Sequence, residues 1–255
     1  MIKTIIKKTL KGMGYEISKQ NNSHDIFLYP DMEAEFKQLY ALCQPYTMTT
    51  IERMYALYKS VEYIVHNKIL GDMVECGVWQ GGSAMMIAHS LLKFGCTDKK
   101  IYLYDTYEGM SAPTEKDISF RGESADYLLT KFARDKENNP VWAIAGISAV
   151  KNNMFSTNYP VENIFFIQGK VEDTIPAQSP GDLSLLRLDT DWYESTYHEL
   201  LHLYPLLSPK GVLILDDYGH WKGAREATDQ YFAEKKIPVL LTRVDYGGRL
   251  FVKSA

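Results

Sequence analysis

The hydrophobic rhythm of the chain changes near Gly71. Before that point, apolar residues recur at helical spacing. Ile51, Met54, Leu57, Tyr58, Val61, Ile64 and Val65 fall on one face of a segment from Thr50 to Asn67. Residues 1–70 therefore read as an N-terminal helical extension, broken at Asn21-Asn22-Ser23 and with a helix opening at Pro30-Asp31. After Gly71, short apolar runs alternate with longer helical stretches, the order expected of βαβ units around a mostly parallel sheet. Strands are predicted at Met73–Cys76, Ile101–Asp105, Ile164–Gln168, Leu185–Asp189 and Val212–Asp216, with helices near Ser83–Phe94, Ser195–Leu206 and Trp221–Glu234. Val239–Val244 and Arg249–Lys253, separated by Asp-Tyr-Gly-Gly, read as an antiparallel hairpin. Residues 71–255 are thus expected to form an α/β, Rossmann-like domain whose seven-stranded, mostly parallel sheet ends in that hairpin. The connection 106–160 is long for a βα link. Ser124–Lys136 reads as helical, while Pro113, Gly122, Gly146 and Lys151-Asn152-Asn153 predict a layer of loops, expected to act as a substrate lid.

Composition narrows the classes. At 45% hydrophobic and 24% charged, the 255-residue chain is an ordinary globular protein. Its 28 basic against 32 acidic residues, a net of -4, give no general attraction to nucleic acid. No apolar run approaches the roughly 20 residues that span a bilayer. The basic start lacks a continuous apolar stretch and a small-residue cleavage site, so a cytoplasmic location is expected. Cys43, Cys76 and Cys96 are odd in number, widely spaced and free of any CxxC, which fits reduced thiols. Ile2, Ile5, Ile6 and Leu10 oppose Lys3, Lys7, Lys8 and Lys11, as in a membrane-surface helix. That stripe is short and has no Trp or Phe anchor, which favours packing on the domain or on a second subunit.

The chemistry begins where the first strand ends, in Glu75-Cys76-Gly77-Val78-Trp79-Gln80-Gly81-Gly82-Ser83. Gly77 and Gly81 let a ligand lie against the backbone, and Ser83 opens the next helix. Dinucleotide sites carry GxGxxG with a diphosphate at the helix N-terminus. Here the pattern is GxxxGGS, preceded by a carboxylate that would repel a diphosphate and suits an ammonium. S-adenosylmethionine has an ammonium and a sulfonium and no phosphate, so charge favours it over NAD. The terminal hairpin agrees, since Rossmann-like methyltransferases carry one and plain dinucleotide-binding domains usually do not. Asp105, ending the second strand, can accept protons from both ribose hydroxyls or simply cap the next turn. After the third strand, Gly169 allows close approach of an adenine, with Glu172 or Asp173 to receive its amine.

Two successive strands end in acid: Asp189-Thr190-Asp191 and Asp216-Asp217. In a parallel sheet both ends lie on one edge, where ligands bind. Capping explains one aspartate; four converging carboxylates would repel each other without a cation. All-oxygen ligation suits Mg2+ or a similar divalent cation. Such an ion lowers the pKa of a substrate hydroxyl, and a spare carboxylate, Asp189 or Asp191, then takes the proton. His220, following Asp216-Asp217-Tyr218-Gly219, is a second candidate base. His198 and His202 sit four apart, but without HExxH they read as ordinary helical histidines.

These residues resemble the macrocin O-methyltransferases of the TylF type. The resemblance is carried by Tyr46-Thr47-Met48-Thr49 with Arg53, by the glycine loop Val74–Ser83, by Asp105-Thr106-Tyr107-Glu108-Gly109-Met110, and above all by Arg187-Leu188-Asp189-Thr190-Asp191-Trp192-Tyr193-Glu194-Ser195-Thr196 with Leu203-Tyr204-Pro205 and Asp216-Asp217-Tyr218-Gly219. It covers about residues 45–235 and leaves 1–44 unmatched. It implies Mg2+-dependent methylation of a hydroxyl on a sugar or glycosylated natural product, often in homo-oligomers. It also implies that Tyr46, Thr47 and Arg53 fold over the cofactor, and it leaves open which of Asp189 and Asp191 is ligand and which is base. An NAD-type oxidoreductase and a non-catalytic binding protein of the same fold are the alternatives. The missing GxGxxG counts against the first, and the intact acidic cluster against the second.

Overall fold

The computed structural model describes residues 29–136 and 139–254. The chain divides into two compact units, residues 1–37 and 38–255. The basic stretch from Ile2 to Lys11 and the break at Asn21-Asn22-Ser23 lie outside the described residues. Pro30-Asp31 form a turn closed by Met32 N–H donating to the Tyr29 carbonyl, and helix α1 (Ala34–Cys43) starts only after it. Proline and aspartate here make a turn instead of a first helical turn. Helix α2 (Ile51–His66) follows, with the Thr50 hydroxyl accepting from Arg53 N–H at its N-cap. It packs on α3 (Gly82–Lys93), so it belongs to the same unit as the sheet. Among the described residues, no helix is long and apolar enough to cross a membrane.

The strands are β1 (Asp72–Cys76), β2 (Ile101–Asp105), β3 (Ile164–Gln168), β4 (Leu183–Leu188), β5 (Leu207–Leu215), β6 (Thr242–Arg243) and β7 (Arg249–Val252). They form one sheet in the order β3-β2-β1-β4-β5-β7-β6, parallel from β3 to β5 and antiparallel at β7 and β6. The expected architecture is the observed one. β6 is shorter than the predicted Val239–Val244, because Val239 and Leu241 pack against the core instead of extending the edge ladder. In the middle of the sheet Val74, Leu186, Leu213 and Phe251 lie side by side across four strands. β1 and β4 are covered on both faces, so apart from Asp72 their polar residues, Glu75, Ser184 and Arg187, are buried as well.

The connection from β2 to β3 carries α4 (Ala125–Lys131) and α5 (Ile147–Phe155). The loop predicted at Lys151-Asn152-Asn153 is part of α5. Val150 and Met154, four apart, are buried against Gly81, and Asn153 donates to the Gln80 carbonyl at 2.9 Å. Tertiary packing outweighs the weak helix propensity of asparagine. Three further helices complete the domain: α6 (Val171–Thr174), α7 (Tyr193–Leu203) and α8 (Lys222–Glu234).

The chain runs outward from β1 through β2 to β3, then returns to the other side of β1 as β4. Between β1 and β4 the order therefore reverses, and the ends of these strands part to leave a crevice. Gly77 stands at that point with φ +81°, and a Cβ there would run into the Asp189 carbonyl oxygen. Gly77→Ala should lower stability by about 3 kcal/mol or more, since backbone strain and overpacking add. Gly95→Ala, at φ +71° in open space, carries only the strain, about 1–2 kcal/mol. Urea unfolding of the two variants measures the difference.

Candidate active site

A cavity of about 380 Å3 opens at the C-terminal edge of the sheet. Its first wall is the turn after β1. The Asp105 carboxylate holds that turn, accepting from Val78 N–H at 2.7 Å and Trp79 N–H at 3.0 Å through Oδ2, and from Tyr107 N–H at 2.6 Å through Oδ1. The Thr106 hydroxyl adds a contact at 3.4 Å. A carboxylate offers about four lone-pair sites. Asp105 lines the cavity, yet two ribose hydroxyls would have to displace these partners; turn capping is the role its contacts describe. Gly82 lacks the Cβ that would come within 2.6 Å of the Tyr46 backbone, so the segment Tyr46–Thr49 lies directly on the glycine turn. Tyr46 and Thr47 line the cavity, as do Gly77 and Ser83, while Gly81 turns the backbone at φ +90° beneath Val150 and does not.

Glu75 enters from β1 and is 1% exposed. One carboxylate oxygen pairs with Arg187; the other, Oε2, is buried at the cavity wall without a partner. Burial pushes this carboxyl up to about 7 against the pull of Arg187. An unpartnered oxygen of this kind lacks a donor, and the ammonium of an amino-acid ligand is one. Gly169, at φ +139°, and Glu172 also line the cavity, whereas Asp173 does not.

Arg187 is the centre of the site. It is 2% exposed, one residue before the end of β4 and beside Glu75. Its guanidinium also reaches Asp189 at 2.8 Å, Asp216 at 2.8 Å and the Thr49 hydroxyl at 3.2 Å. Arg53, from α2, pairs with the other oxygen of Asp216 and with Asp245 at 3.0 Å. Arg53 therefore clamps the acidic cluster to the terminal hairpin, in addition to lining the cavity.

Carboxylate oxygens of Asp189, Asp216 and Asp217 lie within 4.8 Å of one another, a group able to hold a metal ion. Enclosure, and then mutual repulsion, raises the Asp189 and Asp217 carboxyls well above the usual range. Asp191 adjoins this group, its carboxyl hydrogen-bonded to that of Asp217. Its Oδ1 accepts from the Trp221 indole at 2.6 Å, its N–H donates to Asp217, and its backbone sits at φ +68°. Burial pushes its carboxyl up to about 7. His220 lines the cavity with Nδ1 3.1 Å from the Tyr246 hydroxyl, and burial with the charges of Arg53 and Arg121 lowers its pKa. His198 bonds the Ile175 carbonyl, away from the cluster.

The sequence assigns no site role to Arg187, Asp245, Trp221 or Tyr246. A lone charge inside the apolar run Leu183–Leu188 was the one available signal, and it marks Arg187. The others come from distant loops whose meeting no local pattern announces.

A family model described as macrocin-O-methyltransferase (TylF) matches residues 30–253. Demethyldecarbamoylnovobiocin O-methyltransferase of Streptomyces niveus is 30% identical over 94% of this chain and 88% of its own length. An 8-demethyl-8-(2,3-dimethoxy-alpha-L-rhamnosyl)-tetracenomycin-C 4'-O-methyltransferase of Streptomyces olivaceus is 31% identical over 80% of this chain and 74% of its own. The solved structure of the O-methyltransferase NovP superposes with a TM-score of 0.70 at 29% identity, covering 82% of this chain and 83% of that one.

Two expectations follow from the charge arrangement. Arg187→Met strips Glu75, Asp189 and Asp216 of their shared cation, and breaking such a buried pair should cost about 3–5 kcal/mol in urea unfolding at pH 7. The Glu75 carboxyl is raised in the folded chain from 4.5 to about 7, so between those values the native state holds the extra proton. Its contribution is complete below pH 4.5 and is lost as pH rises through 7. The urea midpoint of the ligand-free protein should therefore fall from pH 5 to pH 7.5, and Glu75→Gln should flatten that slope.

Proposed function

Because the chain belongs to the macrocin O-methyltransferase (TylF) family, and is thus an S-adenosylmethionine-dependent O-methyltransferase, we propose that it methylates a hydroxyl of a sugar or glycosylated natural product with a divalent cation at Asp189, Asp216 and Asp217. One observation carries the reading. A buried carboxylate oxygen without a donor, on Glu75, shares a cavity with three clustered carboxylates from the neighbouring strand ends.

The residues fit both groups. Glu75 Oε2 would receive the cofactor's ammonium, with Tyr46 and Thr47 above and Gly77 below. The three aspartates offer only oxygen, the donor set of Mg2+. When bound, the cofactor supplies an electrophilic methyl group, and the cation lowers the pKa of the acceptor hydroxyl. Asp216, with both oxygens engaged by arginines, anchors the cluster; Asp189 and Asp217 are the partly exposed members that face the acceptor. Asp191 holds the loop after β4 through Trp221, which favours Asp189 over Asp191 as ligand. His220 takes the acceptor's proton. Its lowered pKa favours the neutral imidazole at pH 7, and in the tautomer that donates Nδ1–H to the Tyr246 oxygen the lone pair is on Nε2.

Asp217→Asn should reduce methyl transfer by about 10²–10⁴-fold while S-adenosylmethionine affinity stays nearly unchanged, since a cation's several kcal/mol act on the acceptor only. Full activity in a chelator would remove the cation from the mechanism. His220→Gln should lower kcat by about 10²–10⁴-fold and abolish an acid limb lying below the usual histidine pKa, as a pH–rate profile of both proteins would show.

A further inference from the structure

Three loops meet beside the cavity, each with an aromatic ring: His220 and Tyr246 line it, and Phe120, which does not, packs against both. Phe120 comes from the lid, His220 from the link between β5 and α8, and Tyr246 from the terminal hairpin. The loops are bound to one another through backbone groups. Phe120 N–H donates to the His220 carbonyl at 2.7 Å, Gly219 N–H donates to the Gly247 carbonyl at 2.8 Å, and Ser119 bridges Trp221. A Cβ at Gly219 would collide with the Tyr246 carbonyl, so glycine is what lets the hairpin come this close.

The ring centroids lie 5.3 Å (Phe120–His220), 5.6 Å (Phe120–Tyr246) and 5.9 Å (His220–Tyr246) apart, all tilted or edge-on. One exposed aromatic needs no explanation. Three from separate loops, locked at one rim with Phe120 51% and Tyr246 45% exposed, do. The row continues inward: Trp221 packs on His220 at 5.0 Å and on Trp192 at 5.0 Å, and its indole holds Asp191. Aromatic rings thus follow one another, edge against face, from the exposed Phe120 to the indole that holds Asp191.

We propose that this rim is a subsite for a flat aromatic ring that the acceptor carries beyond the methylated sugar, an aglycone packed against Phe120 and Tyr246. The proposal rests on the methyl-transfer reading of the cavity and names the part of the substrate that lies outside it. An aromatic ring removes water from two half-exposed ring faces without costing them a hydrogen bond. The backbone ties keep the platform in place, so little ordering remains to be done on binding. The Arg121 guanidinium lies 5.2 Å from the Phe120 ring, which also suits a phenolate or carboxylate on the aglycone.

Calorimetry in the presence of S-adenosylhomocysteine and Mg2+ tests this with three probes: 4-methylumbelliferyl α-L-rhamnoside, methyl α-L-rhamnoside and free 4-methylumbelliferone. The wild type should hold the aryl glycoside roughly tenfold more tightly than the methyl glycoside. Phe120→Ala should erase that preference, and Phe120→Leu, which keeps an apolar side chain without a ring face, should erase most of it. Equal affinity for the two glycosides in the wild type, or an undiminished preference in Phe120→Ala, overturns the subsite. Tighter, Phe120-dependent binding of dTDP-L-rhamnose than of the aryl glycoside would overturn the aglycone assignment in favour of a nucleobase. Phe120-dependent binding of the free coumarin, with no methyl transfer to any glycoside, would support the subsite and count against the methyl-transfer reading instead.

Discussion

The guanidinium of Arg187 is the interaction on which the rest of the site depends. It sits in the most buried strand of the sheet and binds acids from three strands: Glu75 from β1, Asp189 at the end of β4, and Asp216 at the end of β5. An unpaired charge in that place would be prohibitive. The protein therefore has to bring carboxylates to it, and those carboxylates are the ones assigned above to the cofactor and the cation in the proposed function. One residue fixes the position of Glu75 and the spacing of the acidic cluster together.

This changes how the acidic cluster is understood. Seen in the sequence, four aspartates at one edge imply a cation. In the structure two arginines already stand there. Arg187 and Arg53 divide the oxygens of Asp216 between them, and Arg53 reaches on to Asp245 in the hairpin. Asp191 is tied to an indole. What remains for a cation is the face made by Asp189 and Asp217, with Asp216 as fixed support. Enclosure first, and then the neighbouring carboxylates, raise both of these carboxyls.

The lid obeys the same economy of anchoring. Asp117, fully buried, accepts from Tyr193 N–H at 2.8 Å and from Thr114 N–H at 2.7 Å, fastening the segment before α4 to the start of α7. Together with the bonds from Phe120 and Ser119 to the loop after β5, this makes the lid's inner edge a fixed wall.

The sequence by itself determined the strands, the order of helices, the glycine turn and the acidic strand ends. Each of these is written in a local period or a short run of residues, and the resemblance carried by Arg187–Thr196 and Asp216–Gly219 pointed to the family. Tertiary structure alone decided the division of labour among the charges. Asp105 and Asp191 became anchors because backbone amides and an indole reached them first, and Asn152 and Asn153 became helical because Val150 and Met154 had a surface to cover. Arg187 and Asp245 acquired their roles from partners between 29 and 192 residues away, such as Asp216 and Arg53. Burial and pairing between distant segments fix which lone pairs are already taken, and no periodicity along a chain records that.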